Sequence, residues 1–197
     1  MTEQIIENYK TDMVEAFRNY KKLAERAIEQ VNEDEYFRAI DEESNSIAVV
    51  VKHIGGNLRS RWTDFLTSDG EKADRHRDSE FVAESDTRES VEQLWETGWN
   101  ALFGTLESLT IEDFGRTVQI RGEDYSVIKA MNRALAHTAY HVGQITYLAK
   151  HFRASGWKTL SVPRGQSGEF NAYLAENKDK AHYLEATQDF TKEKSKH

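Results

Sequence analysis

Ala136-His137-Thr138-Ala139-Tyr140-His141-Val142-Gly143-Gln144-Ile145 sits inside a longer run in which Val127, Met131, Ala134, Leu135, Thr138, Val142, Ile145 and Leu148 recur at spacings of three and four. That period predicts a long helix from a Ser126 cap to about Phe152, with one face turned to a core. His137 and His141 then lie one turn apart on one face, about 6 Å along the axis, so both imidazoles can reach a single metal ion. Zinc peptidases of the HExxH type need a glutamate directly after the first histidine. Thr138 stands there instead, which argues against peptidase chemistry.

Three more helical stripes surround this one. Ile6, Tyr9, Met13, Phe17, Tyr20, Ala24, Ala27 and Val31 mark a first helix over about 2–31. Ile47, Val50, Val51, Ile54, Leu58, Trp62 and Phe65 mark a second over about 46–66, and Val91, Leu94, Trp95, Gly98, Leu102, Leu106 and Leu109 a third over about 87–108. Residues 32–46 read as an acidic connection ending in helix caps. The polar stretch 67–78 reads as a long surface loop. Arg116 to Tyr125 alternates polar and apolar residues around Arg121-Gly122, the pattern of a short β-hairpin. Gly55-Gly56 falls inside the second helix, where each glycine costs roughly 1 kcal/mol relative to alanine, so close approach of another backbone is expected there. The expectation is an all-α four-helix bundle with a short β-hairpin before the last bundle helix. One domain over 1–197 is expected, with 155–197 as a C-terminal extension packed on or trailing from the bundle. Asn171 to Lys178 reads as weakly amphipathic, and Thr191 to His197 as a frayed charged end.

Composition narrows the chemistry. The chain has no cysteine, which removes disulfides, thiolate catalysis and Cys-ligated metals, so any metal must sit on His, Asp or Glu. A formal charge of −8 disfavours nonspecific nucleic-acid binding. No apolar run approaches the roughly 20 residues of a membrane span, and the N-terminus lacks the features of a signal peptide, so a cytoplasmic protein is expected.

If the second and fourth helices face each other, His53 becomes a candidate third ligand and the site a His₃ centre with one open position. Two readings of His53 stand side by side: a metal ligand, or a hydrogen-bonded core histidine. The same choice holds for His137 and His141. Asn57, one turn beyond His53, and Gln144, three residues beyond His141, could orient a ligand's second nitrogen or hold a metal-bound water; the alternative is that they are packing amides. Arg59, Arg61, Arg75, Arg77 and Arg164 could bind an anionic substrate group. With Asp64, Asp69, Asp78 and Glu80 interspersed, ion pairs that fix the loop are the favoured reading. Trp62, Trp95, Trp99 and Phe103 read as core or subunit interface.

His137-x-x-x-His141-x-Gly143-Gln144 after a hairpin, together with His53-Ile54-Gly55-Gly56-Asn57, resembles the DinB-like superfamily, also described as YfiT-like metal-dependent hydrolases. The resemblance covers about 1–155. The runs 56–66, 75–81 and 163–167 are similar to a subfamily of unknown function within it. The resemblance implies a DinB-type bundle, frequently dimeric, with zinc or nickel on His53, His137 and His141. Some members of the superfamily transfer thiols such as bacillithiol, and others are mycothiol-dependent isomerases. It therefore implies an enzyme that activates a low-molecular-weight thiol or water against a small-molecule substrate, a thiol S-transferase or a hydrolase. Asn57, Gln144 and Arg61 would stand beside the reacting centre. The alternative is a noncatalytic metal-binding or stress-associated dimeric module.

Overall fold

A computed structural model describes residues 2–177 and 183–194. Four long helices carry the fold: α1 (Thr2–Ile28), α3 (Ile47–Trp62), α4 (Arg88–Ser108) and α5 (Val127–Arg153). The short helix α2 (Glu33–Phe37) follows α1, and α6 (Ser167–Glu176) and α7 (Tyr183–Lys194) close the chain. The fold is all-α with one small hairpin, as the periodicity predicts. None of the helices is long and apolar enough to cross a membrane, among the described residues.

The four long helices share one aromatic core. Phe17 of α1 meets Trp62 of α3 edge-on at 6.3 Å and Trp99 of α4 at 6.4 Å, and all three are buried. Met131, Val142 and Ile145 bury the facing side of α5. The tryptophans belong to this core, while Phe103 is half-buried and stacks on Trp99 at 5.5 Å. Helices α3 and α4 cross in close backbone contact at Gly55 and Gly98: a Cβ on Gly98 would lie 2.4 Å from the Gly55 carbonyl oxygen. Gly55 is thus a backbone contact, as expected. Gly56 is not, because a Cβ there would strike the Glu80 carboxylate, 2.4 Å from Oε1.

The hairpin pairs β1 (Thr117–Ile120) with β2 (Glu123–Ser126), antiparallel. Arg121 and Gly122 both take positive φ, 57° and 75°, the conformation a two-residue primed turn demands. Ser126 then caps α5 through the Lys129 N–H at 3.2 Å.

Three sequence expectations need correction. The acidic connection contains α2, nucleated by a reciprocal Asn32 and Glu35 capping box that a composition-based reading overlooks. Stretch 67–78 is only partly a surface loop: the Gly70 N–H donates to the Gln119 carbonyl at 2.8 Å, and the Arg75 side chain is 3% exposed. Thr191 to Lys194 continue α7, while Lys178 and 195–197 lie outside the described residues.

By backbone contacts the chain divides into two compact units, Met1–Phe152 and Arg153–His197. The second has its own small core of Phe170, Ala186 and Phe190, with Phe170 and Phe190 edge-on at 5.3 Å.

Candidate metal centre

Helix α3 delivers His53 from its buried face, and α5 delivers His137 and His141 from adjacent turns. One ring nitrogen from each lies within 4.8 Å of the others, and the ring centroids are 4.5–5.2 Å apart. His53 is buried and the α5 pair half-buried, so the cluster is lined by protein on the α3 side and approachable on the α5 side.

The outer nitrogens decide which way the inner ones point. His53 donates from Nδ1 to Glu80 Oε2 at 2.9 Å, which leaves the Nε2 lone pair directed at the cluster. His141 donates from Nδ1 to Gln144 Oε1 at 2.8 Å, with the same result. A carboxylate or amide on the far nitrogen fixes the tautomer and raises the basicity of an imidazole ligand. His137 has no such partner among the described residues.

The spacing fits an ion. His53 Nε2 lies 3.2 Å from His137 Nε2. Two nitrogens ligating one zinc-like ion at about 2.05 Å with tetrahedral angles stand roughly 3.3 Å apart. With the His53 lone pair fixed inward by Glu80, a cation between the rings would find that lone pair already aimed at it. The charge state fits too. Burial, then the neighbouring His141, His53, Arg133 and Arg75 charges, push the His137 pKa down to about 3. Burial also lowers His141, against the Gln144 hydrogen bond. Neutral imidazole is the ligating form.

Glu80 is the part of the site that the ligand spacing does not announce. It lies on a 3-10 turn, Arg77–Phe81, and is held by Arg75 through two bonds, Nε to Oε1 and Nη2 to Oε2, both 2.8 Å. Burial pushes its carboxyl up, but the bonds from His53 and Arg75 outweigh this and hold it below the ordinary value. The absent Gly56 side chain makes room for it. Sequence reasoning reached Glu80 only as a loop ion-pair partner. The available signal was a glycine on α3 three residues after His53, facing an acid 24 residues on. From the other side Phe81 lies against His53, with centroids 5.0 Å apart.

The other expected residues divide. Gln144 is on His141, as its spacing allows. Asn57 and Arg61 line a neighbouring cleft with Arg133. Arg61 is buried and pairs with Glu71 through Nη2 at 2.8 Å, leaving Nε and Nη1 without an acceptor. Arg59 pairs with Asp74 at 3.0 Å and Arg75 with Glu80 and Glu71, so ion pairs do fix the loop, but of the acids expected from the sequence only Glu80 takes part among the described residues. Thr138 is buried in the core, so no base occupies the peptidase position.

The family model described as a protein of unknown function, DUF1572, matches residues 4–166. Neither curated proteins nor solved structures give a match. The matched span takes in all three histidines and the two residues that orient His53 and His141, and on its extent the chain belongs to the DUF1572 family of proteins of unknown function.

Proposed function

We propose that the chain is a metal-dependent enzyme in which His53, His137 and His141 hold a divalent ion, zinc or nickel, before a small-molecule substrate. The observation that carries this reading is the convergence of three imidazoles of which two have their outer nitrogens committed to Glu80 and Gln144. Three protein ligands are the count of catalytic rather than structural zinc sites. When bound, the ion supplies Lewis acidity that makes a low-molecular-weight thiol or water nucleophilic near neutral pH. Glu80 holds the proton on His53 Nδ1, Gln144 does so for His141, and Arg75 keeps Glu80 ionised and in place. Asn57 and Arg61 orient substrate from the adjoining cleft. The likeness to DinB-like proteins supports a thiol S-transferase or hydrolase.

The test begins with metal analysis of the purified chain. One divalent ion per chain, lost in His137→Ala, is the expected result; no stoichiometric metal sinks the reading. Thiol cofactors assayed with electrophiles then separate an enzyme from a noncatalytic metal module: turnover abolished by His53→Ala is expected of the enzyme. A homodimer and a cytoplasmic location belong to the same proposal. Exposed Tyr140 and Tyr147 on one face of α5 support the dimer, and a sedimentation mass near the 22.7 kDa monomer would contradict it.

A further inference from the structure

Along α3, Asn57 stands one turn and Arg61 two turns beyond His53; along α5, Arg133 stands one turn before His137. The three side chains line one narrow cleft together with Trp62, Gly70 and Gln119. Arg61 is 6% exposed, yet its Nε and Nη1 meet no acceptor. A buried guanidinium with open donors is costly, and most buried polar groups in proteins are satisfied. Arg133 is exposed and has no hydrogen-bond or ion-pair partner among the described residues.

The carboxylates nearby are already spent. Glu71 is shared by three guanidiniums, Arg61 at 2.8 Å, Arg121 at 3.2 Å and Arg75 at 3.3 Å. Glu80 is taken by Arg75 and His53. Asp69 accepts from the backbone N–H groups of Glu71, Arg121 and Gly122. Arg61 Nε and Nη1 and the Arg133 guanidinium are therefore left without a carboxylate among these acids. Consistent with this, burial and then the Arg133, Arg75 and Arg121 charges hold the Arg61 pKa below its ordinary value, despite Glu71.

We propose that Arg61, Asn57 and Arg133 form an oxyanion subsite that receives a carboxylate or phosphate oxygen of the substrate. The subsite's place beside the reacting centre rests on the metal-centre reading above. The cleft has room for about 10 Å³, the space of one oxygen. An anionic group therefore enters one atom deep, with the remainder of the substrate outside the cleft. The substrate class that follows is a small acid or phosphate ester whose charged end is anchored two turns along α3 from His53.

The experiment titrates the full-length chain, metal-free and zinc-loaded, with sodium acetate and with inorganic phosphate by calorimetry, and measures zinc content on the same samples. Saturable binding is expected in the metal-free chain, weakened about tenfold in Arg133→Ala and in Arg61→Lys, with zinc stoichiometry unchanged. The tighter of the two probes identifies the substrate's group. Arg133→Ala removes an exposed, unpaired side chain, so its far-ultraviolet spectrum should match the parent's. Absence of saturable binding, or equal affinity in parent and Arg133→Ala, overturns the subsite. Loss of zinc stoichiometry with anion binding intact would instead overturn the metal centre. A crystal soaked in sodium bromide adds a direct readout: an anomalous peak at Arg61 Nε or Nη1 supports the subsite, and an ordered water there without bromide overturns it.

Discussion

The Glu80 carboxylate spends one oxygen on Arg75 alone and the other on Arg75 and His53, so one side chain couples a loop cation to an imidazole of the candidate metal centre. Glu80→Gln keeps the shape but loses the charge that accepts from both. Metal affinity should fall about 10- to 100-fold, read by competition with a zinc chelator; an unchanged affinity would mean that Glu80 only fixes the loop. Protons report on the same residues. The folded His137 pKa is near 3, while an unfolded imidazole titrates near 6.5. On acidification the unfolded chain therefore takes up a proton that the folded chain refuses. Stability is at its full value above about pH 6.5 and is lost as pH falls from there toward 3. Glu80, held below the ordinary carboxyl value of 4.5, acts in the same direction at lower pH. The melting temperature of the metal-free chain should therefore drop between about pH 7 and pH 5, and His137→Gln should flatten that slope. An identical slope in the variant would contradict the assignment.

Glycines separate the roles of α3 and α4. A methyl at Gly98 would meet the Gly55 carbonyl at 2.4 Å, backbone that cannot step aside, so Gly98→Ala should destabilise by about 1–3 kcal/mol despite the better helix propensity of alanine. Gly104 on the same helix has nothing within 4 Å, and Gly104→Ala should stabilise by about 0.5–1 kcal/mol. Chemical denaturation of both variants checks the pair; equal effects would refute a backbone-contact role for Gly98. The long elements were legible because their apolar residues repeat at the helical period, and the hairpin because Arg121-Gly122 can take positive φ. Helix α2 was not, since five acidic and aromatic residues are too few to show a period, and only the Asn32 and Glu35 pair marks it. Arg75 and Glu80 were legible as charges of a polar loop. Their burial was not, because it depends on a cradle at Gly56 that is defined only once the loop folds over α3.

At the scale of the whole molecule, all three histidines lie in the unit Met1–Phe152. An ion that binds only the folded chain stabilises it by about 2.7 kcal/mol when its free concentration is 100 times the dissociation constant. Chelator should therefore lower the melting temperature of the parent and leave His137→Ala unmoved; a chelator effect of equal size in both would place the ion elsewhere. His53 and His137 are 84 residues apart in sequence, yet their nitrogens are 3.2 Å apart in space. In a chain without cysteine, an ion on those nitrogens would be a reversible cross-link between α3 and α5. The two helices could not part before a ligand bond broke, so the lifetime of the folded state would be governed by the ion's escape rate rather than by the strength of the core. Zinc and nickel forms with matched melting temperatures could then differ widely in unfolding rate.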